Sequence, residues 1–443
     1  KKNDFIINKY NNLYIRKKRL TKLKKDNIYD IKNTLSDIDL NVLYHIYTYR
    51  CLTIRQIYRT FYINEFSFNQ FIDIKINFFI IKDLLEEVFF NKNNSALFLT
   101  KIGVEIVREK FCLDVNTINK DKIIKGYNSS SDLKLLSRLI PHQIFLNQFV
   151  LDFNVALKYK QLDLKTEYFD EKYVSQYQNI RPDGLLRLKD MDLDLFLELD
   201  MGTESNKQLS LKWKNYRMFL NSGEWDLVSN KVIVLFIVEN VKNVENRKNV
   251  IKKTVIDEML DLLGEKFELL VGTKEDLLKI VFNDIIPKLS KKEELFESII
   301  KSKHGYSILK GKNLKDKLGG DIYPYYIKKT DKGIEHEFLV DFYSGNELNV
   351  VRRMELLKRN SSIFNYYNKR DIKLIIVCKD IVSNIKKDVN LSSSDVLKNE
   401  NIYYTTLKRL TEFDLKTALC QIDAFSRIYH FSDDNLSIRC LEE

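Results

Sequence analysis

The stretch 181–200 constrains the fold of this chain more than any other part of its sequence. It holds two short apolar runs separated by a polar turn, which predicts two strands joined as a hairpin. Strict alternation in the second run places Asp194, Glu198 and Asp200 on one face of a strand and four leucines on the other. Carboxylates this close repel one another unless a cation lies between them, often a divalent metal ion. The pattern is equally typical of a half-exposed hairpin with a charged outer face.

The residues on both sides of this stretch predict an alternating α/β core. Thr203 or Ser205 is suited to cap a following helix. The β-branched run Lys231–Val238 is typical of a strand buried on both faces. Upstream, the pattern predicts a helix over Asp132–Gln161, which Pro141 should kink or divide, and then another strand.

The resulting order of helix, three strands, helix and strand resembles the core of a restriction-endonuclease-like fold. The signature of that fold is Pro-Asp followed by Asp/Glu-x-Lys, and Arg181-Pro182-Asp183 provides its first half. The run 198–204, Glu-Leu-Asp-Met-Gly-Thr-Glu, followed by Lys212 and Tyr216, more specifically resembles the replication-relaxation family. That family occurs on plasmids and integrative elements and includes MobC-type relaxases. The resemblance covers roughly residues 36–290.

The resemblance implies metal-dependent nuclease chemistry. Asp183 and Glu198 would bind Mg²⁺ or Mn²⁺, which would polarise the scissile phosphate and activate a water molecule. Asp200 stands where the wider nuclease pattern has a lysine, so Lys212 or Lys207 would offset the charge that develops on the phosphate. The candidate catalytic residues are therefore Asp183, Glu198, Asp200, Lys212 and Lys207, and the candidate metal ligands are Asp183 and Glu198.

Three further residues have both a functional and a structural interpretation. Glu167 would either join the carboxylate site or be an ordinary exposed residue. His142 is favoured as a hydrogen-bonded helix residue, although the resembling family tends to carry a histidine at this point. Tyr216 is a conceivable nucleophile, but its spacing alone does not support that role.

Residues 36–115 are predicted to form a winged helix. Ser36, Thr53 and Ser67 are suited to begin three short helices, and two apolar runs around the turn 91–94 predict a hairpin after them. The Leu-Thr-x-x-Gly sequence after the hairpin is also what the family resemblance implies. In such folds the third helix usually enters the major groove of DNA, although winged helices also dock proteins.

The polar residues available to read DNA are few, and most of the positive charge lies upstream. The third helix offers Asn69, Gln70 and Lys75 as base-reading candidates. Residues 1–34 contain eleven Lys and Arg against three Asp, which accounts for +8 of the net charge of +11. This basic arm is expected to bind phosphates, and a solubilising tail is the alternative. Its candidate DNA-binding residues are Lys17, Lys18 and Arg19.

Length and composition narrow the class of protein. A chain of 443 residues exceeds the usual size of one hydrophobic core, so several domains are expected. No run of 18 apolar residues is present, which predicts a soluble, cytoplasmic protein with no membrane segment. Five scattered cysteines without metal-ligand spacing make disulfides and structural zinc unexpected.

The last 140 residues weakly repeat the middle of the chain. After Val238 two charged helical segments, Glu245–Leu263 and Lys274–Leu289, are expected to cover the sheet. Further along, Glu337–Gly345, a helix and the buried run Ile372–Cys378 echo the strand–helix–strand pattern. The tail 407–431 reads as one or two amphipathic helices. The matched positions are Asp341 with Glu198, Asp321 with Asp183, and Tyr343 with Asp200. A copy without the second carboxylate is expected to be catalytically inactive.

Together these patterns predict an α/β multidomain protein. The expected parts are a basic arm at 1–35, a winged helix at 36–115, a nuclease-like domain at 116–300 and a degenerate second nuclease-like domain at 301–443. The expected function is metal-dependent DNA nicking or origin processing, with double- or single-stranded DNA as partner and a homodimer or mobilisation complex as a further option. The main alternative is a DNA-binding replication initiator or regulator that keeps the nuclease fold as a scaffold. An assembly protein that docks a partner is the third.

Overall fold

A computed structural model describes residues 28–113, 128–264, 266–287, 289–310, 323–357, 373–379, 401–422 and 428–430. In this part the chain is a mixed α/β protein with several sheets. It divides into two compact units, Lys1–Asp190 and Met191–Glu443. The four-part division expected from the sequence remains a prediction. Every helix in the described ranges is too short or too polar to span a lipid bilayer.

The first unit begins with helices followed by a two-stranded hairpin and one more helix. The helix that begins after Ser67 contains a π-helical segment, Ile72–Ile76, and then continues as an α-helix to Ile81. The hairpin strands are antiparallel, with Leu85 opposite Leu99. The elements are α1 (Ile28–Asn33), α2 (Asp37–Tyr49), α3 (Ile54–Ile57, continued by Tyr58–Tyr62), α4 (Phe68–Phe71, Ile72–Ile76 and Asn77–Ile81), β1 (Leu85–Phe89), β2 (Ser95–Leu99) and α5 (Lys101–Lys110).

Local sequence explains where these helices begin. Ser36, Thr53 and Ser67 each accept a hydrogen bond from a first-turn N–H and complete a reciprocal capping box, as predicted. Thr100 caps α5 by accepting from the N–H of Gly103. A Cβ atom at Gly103 would lie 2.3 Å from the carbonyl oxygen of Leu84, so only glycine allows α5 to approach the chain there.

The predicted long helix over Asp132–Gln161 is wrong at its start. A short helix α6 (Ser130–Leu133) is followed by an irregular segment, and α7 (Ile140–Tyr159) then begins with Pro141 in its first turn. Proline lacks the N–H that a helix interior needs but is tolerated in the first turn, so it divides the segment rather than kinking it. Asn147 on α7 donates to the carbonyl oxygens of Tyr49 and Cys51, which joins α7 to the end of α2.

The first unit ends with two antiparallel strands. Strand β3 (Thr166–Asp170) pairs with β4 (Gly184–Leu188), with Asp170 opposite Gly184. Between them lies the short helix α8 (Glu171–Val174), capped by Asp170.

The second unit opens with three parallel strands flanked by helices. Strand β5 pairs with β6 so that Glu198 lies opposite Phe236, and β6 pairs with β7. All eight residues of β5 are buried, so the expectation of a half-exposed strand with a charged outer face is wrong. The elements are β5 (Leu193–Asp200), α9 (Asn206–Leu220), β6 (Lys231–Val238), α10 (Val244–Met259), β7 (Phe267–Gly272) and α11 (Lys274–Ile280, continued by Val281–Ile285).

Strand β7 corrects the expected all-helical cover after Val238. Its sequence, Phe-Glu-Leu-Leu-Val-Gly, is mostly apolar and has the length typical of a buried strand, and five of its six residues are buried. Helices α10 and α11 form within the charged segments that were expected to be helical. Strand β7 lies between them in sequence.

The rest of the second unit is built on a seven-stranded sheet in the order β14-β13-β12-β11-β10-β9-β8. The expected helical tail is wrong in part, because its two short helices are followed by strands. The elements are α12 (Lys291–Ser302), β8 (Ser307–Lys310), β9 (Tyr325–Asp331), β10 (Ile334–Tyr343), α13 (349–357), β11 (Lys373–Cys378), β12 (Ile402–Thr406), α14 (Leu407–Glu412), α15 (Leu415–Ala418), β13 (Cys420–Ile422) and β14 (Ile428–His430).

Strand directions in this sheet follow those of the earlier strands. Strands β8 and β9 are antiparallel like β3 and β4, and β10, β11 and β12 are mutually parallel like β5, β6 and β7. Helix α12 precedes β8 as α7 precedes β3, and α13 follows β10 as α9 follows β5. Asp341 is third from the end of its strand, as Glu198 is in β5. Asp321 lies outside the described residues.

Candidate active site

Glu198 is the best defined of the predicted site residues. It lies near the carboxyl end of β5, and 2% of the residue is exposed. Its Oε2 accepts a hydrogen bond from Lys212 Nζ at 2.7 Å, and its Oε1 accepts one from the Tyr216 hydroxyl at 2.7 Å. The following helix therefore brings a cation and a hydroxyl to one buried carboxylate.

The sequence of α9 explains why both donors reach Glu198. Ser205 caps the helix in a capping box with Gln208, so Ser205 rather than Thr203 is the cap. Lys212 and Tyr216 are four residues apart and hence project from the same helix face. Between them the buried Trp213 packs 5.3 Å from the ring of Phe236, which fixes the helix against the sheet.

The ammonium of Lys212 lies between two carboxylates. Besides Glu198, it forms an ion pair with Glu204 Oε1 at 3.0 Å, and it lies 5.2 Å from the centre of the Phe236 ring. The Lys212 side chain is 22% exposed, so it is partly accessible to solvent. Lys207, the other predicted lysine, is exposed on the first turn of α9, and no partner of its side chain is found in the described residues.

Asp200 is engaged by a residue that sequence reasoning missed. Arg247 on α10 donates to both carboxylate oxygens of Asp200, at 2.5 and 2.9 Å, and the backbone N–H of Gly202 donates to Oδ1 at 3.1 Å. Arg247 also donates to the carbonyl oxygen of Glu204 at 2.8 Å. This pair fixes the loop after β5. Arginine and aspartate are 47 positions apart, so no local spacing indicates the contact.

Asp194 does not belong to this cluster, although it shares a strand face with Glu198. It is fully buried near the opposite end of β5 and accepts hydrogen bonds from the N–H and the hydroxyl of Ser229 at 3.1 and 3.0 Å. The three carboxylates of β5 therefore do not form one site, because each accepts hydrogen bonds from different donors.

Asp183 lies in the first unit, just before β4. Its Oδ2 is 3.4 Å from Nε2 of His142 on α7, and 27% of its side chain is exposed. His142 thus has a carboxylate partner, in line with the structural interpretation favoured from the sequence. Glu167 forms an ion pair with Lys189 at 2.9 Å. That Asp183 and Glu198 share one metal ion remains a prediction.

The predicted DNA-reading residues of α4 differ in availability. Asn69 is exposed, whereas the Gln70 side chain accepts hydrogen bonds from the backbone and hydroxyl of Ser67. Lys75 donates to both oxygens of the buried Asp39 at 2.9 Å. Lys17, Lys18 and Arg19 lie outside the described residues.

Asp39 is ionised in this environment. Burial raises the pKa of its carboxyl group, but hydrogen bonds from Tyr62, Lys75 and Ser36 outweigh burial and lower the pKa below its usual value. Lys75 therefore holds α4 against α2 in the first unit, whatever it does toward DNA.

The carboxylates of the site differ in how well they could bind a metal ion. In the described residues no three His, Cys, Asp or Glu side chains cluster to hold one. Asp200 accepts three hydrogen bonds and is 1% exposed, so it does not fit a ligand role. The carboxylate of Glu198 accepts from Lys212 through one oxygen and from Tyr216 through the other. Magnesium commonly takes only one or two protein carboxylates, with water and phosphate completing its shell, and the carboxylate of Glu198 is a ligand of that type.

Comparison with known proteins shows that the region of the site is similar to one family. Residues 43–234 match the family described as replication-relaxation, a range that contains all the candidate catalytic residues. No curated protein matches the chain. A solved structure titled as the restriction endonuclease FokI bound to DNA aligns with a TM-score of 0.21 and 12% identity, over 75% of this chain and 55% of that one. This chain thus spans about half of that endonuclease. A TM-score this low does not establish a common fold. Residues 43–234 of this chain are therefore similar to the replication-relaxation family.

Proposed function

We propose that this protein binds DNA and nicks it with the help of Mg²⁺ or Mn²⁺, in replication or mobilisation of a plasmid or integrative element. The match of residues 43–234 to the replication-relaxation family supports a role in DNA processing. The observation that carries the proposal is the 2.7 Å contact between Lys212 Nζ and Glu198 Oε2. It puts a lysine at the carboxylate, although the strand motif itself has aspartate in place of lysine.

The proposed mechanism gives each residue a separate task. Glu198 and Asp183 would hold the divalent ion, which when bound polarises the scissile phosphate and activates water. Lys212 offsets the negative charge that develops on the phosphate oxygens. Tyr216 orients Glu198 through its hydroxyl and is 1% exposed, which argues against a role as nucleophile.

Asp200 acts through position rather than chemistry in this proposal. With Arg247 it fixes the loop that carries Glu204 and leads into α9, so that Lys212 reaches Glu198. The buried pair is thus a support for the site.

We also propose that 36–115 is a winged helix that binds duplex DNA together with the arm 1–35. The order of three helices, hairpin and helix supports this. Asn69 and Gln70 would face the DNA from α4, and the arm residues Lys17, Lys18 and Arg19 would contact phosphates.

For the C-terminal part, we propose a degenerate second nuclease-like domain at 301–443. The matched strand directions support it. Asp341 is fully buried and paired in two hydrogen bonds with Arg353 of α13, as Glu198 is paired with Lys212 of α9. Such a closed carboxylate would serve stability only.

A nicking assay tests the proposal. Supercoiled plasmid and single-stranded DNA are incubated with the full chain and Mg²⁺, Mn²⁺ or EDTA. The wild type should convert supercoiled DNA to open circles only with a divalent ion. Glu198→Gln, which keeps size and removes charge, should abolish conversion and retain DNA binding.

One observation favours the second candidate function, a non-catalytic DNA-binding scaffold. Every carboxylate oxygen of Glu198 and Asp200 already accepts a hydrogen bond from a protein donor. If the wild type binds DNA but cuts no topology with any divalent ion, the scaffold function replaces the nicking function.

A further inference from the structure

The carboxylate of Glu204 has no task in the proposed mechanism. Its Oε1 lies 3.0 Å from Lys212 Nζ, so the ammonium has two carboxylate partners instead of one. The other oxygen, Oε2, is buried and accepts no hydrogen bond from any donor in the described ranges. Glu204 therefore has acceptor capacity left over, directly beside the lysine.

The loop that carries Glu204 is held in place by Arg247. Arg247 donates to the carbonyl oxygen of Glu204 at 2.8 Å while its guanidinium is paired with Asp200. The next residue, Ser205, begins α9 as its cap. The carboxylate of Glu204 is thus presented to Lys212 from a backbone fixed at two points.

Repulsion between a bound divalent ion and the Lys212 ammonium makes a second acceptor for the ammonium necessary. A divalent ion on Glu198 would lie close to the ammonium that now bonds to the same carboxylate, and the two cations repel. Lys212 must then leave Glu198, yet the proposed chemistry needs it nearby.

We propose that Glu204 is a positioning residue that takes over Lys212 when Glu198 exchanges its ammonium partner for a divalent cation. This inference rests on the proposed metal-dependent function. It assigns the two carboxylates different tasks: Glu198 binds the ion, and Glu204 retains the lysine beside it. The ammonium shifts from one acceptor to the other without passing into solvent.

Calorimetric titration of the full chain with MnCl₂, without DNA, tests this exchange. The informative variant is Glu204→Asp, which keeps the charge but withdraws the carboxylate by one methylene. With Lys212 present, Mn²⁺ affinity should fall by about fivefold or more, because the Glu204 carboxylate then no longer reaches the ammonium to hold it away from the ion. In a Lys212→Ala background the same change should alter affinity by less than about twofold, because nothing remains to be retained. Glu275→Asp, at an exposed glutamate of α11, is the matched control and should change nothing.

Several results would overturn the inference. One is an unchanged affinity in Glu204→Asp. Another is an equal loss with and without Lys212, which would mean that Glu204 acts on the ion directly. Absence of Mn²⁺ binding by the wild type would also overturn it. If Glu204→Asp does not fold, as judged by circular dichroism, Glu204→Gln is compared in the same two backgrounds, with the same criterion. Because the titration contains no DNA, a protein that binds Mn²⁺ as expected but cuts nothing would refute only the nicking function.

Discussion

At the scale of single residues, the strongest feature is the buried pair of Asp200 and Arg247. Asp200 is completely buried at its side chain and Arg247 is 14% exposed. Removing one partner of such a pair leaves a buried charge without compensation. We therefore expect Arg247→Met to lower the free energy of unfolding by about 3–5 kcal/mol.

The control is the double variant Asp200→Asn with Arg247→Met, which leaves no unpaired charge and should recover much of the loss. Urea denaturation of the three proteins measures it. A loss below about 1 kcal/mol in Arg247→Met would be typical of a surface ion pair and would contradict the role given to this one.

Asp39 gives a pH-dependent prediction in the first unit. Because its pKa is lowered in the folded protein, its ionised form adds stability above its ordinary value of 3.8 and loses that contribution as the pH falls through the folded pKa. Asp39→Asn should thus be less stable than the wild type at pH 6, and the difference should shrink as the pH falls below 3.8. Urea midpoints across this range measure it. A constant gap would show that ionisation is not the cause.

Sequence reasoning succeeded at this scale where partners are local and failed where they are distant. Ser36, Thr53 and Ser67 were identifiable as caps because their partners lie three residues away. Lys212 was one of two candidates, since helical spacing aims it back at the strand. Arg247 and the separate donors of Asp194 were not identifiable, because tertiary packing alone brings them together.

At the scale of elements, α1 decides how the basic arm should be tested. Ile31 of α1 is buried and Lys32 pairs with Glu109 of α5, so deleting the helix would disturb the fold. Removal of residues 1–27 avoids this. We expect weaker binding to duplex DNA and a shallower dependence on salt, by about 0.9 in slope for each phosphate that the arm neutralises in the wild type.

The control keeps the arm length and replaces its lysines and arginines with glutamine. If both proteins match the wild type in affinity and salt slope, measured by fluorescence anisotropy, the arm does not bind DNA. Weaker binding only in the deletion would point to the arm's other residues rather than its charge.

Two elements show the limits of pattern reasoning. Strand β7 is a short, mostly apolar segment between two helical patterns, and short apolar segments do not by themselves distinguish a strand from a buried helix. Its parallel partner β6 decides the matter. The run from β5 through α9 to β6 was predictable because capping, helical spacing and β-branching all agree there.

At the scale of the whole molecule, Arg353 and Lys212 each pair with a carboxylate near the end of a corresponding strand. We expect their removal to have different effects. Arg353 pairs with the fully buried Asp341, whereas Lys212 is 22% exposed beside Glu198. Arg353→Met should lower stability by about 3–5 kcal/mol but leave the nicking rate of the folded protein unchanged. Urea denaturation and plasmid nicking below the unfolding transition measure both. A loss of nicking in stable protein would show that the second copy contributes to catalysis.

The central claim is that Lys212 and Glu198 form a site that nicks DNA, and one comparison tests it most directly. The initial rate of Mn²⁺-dependent plasmid nicking is measured for Lys212→Ala and Lys207→Ala, two lysines of the same helix, of which only Lys212 contacts Glu198. Removal of one charge-stabilising group typically costs about 100- to 1,000-fold in rate. We predict such a loss in Lys212→Ala, with a rate in Lys207→Ala within about twofold of wild type. Equal rates in the two variants, or no nicking by the wild type, would contradict the claim.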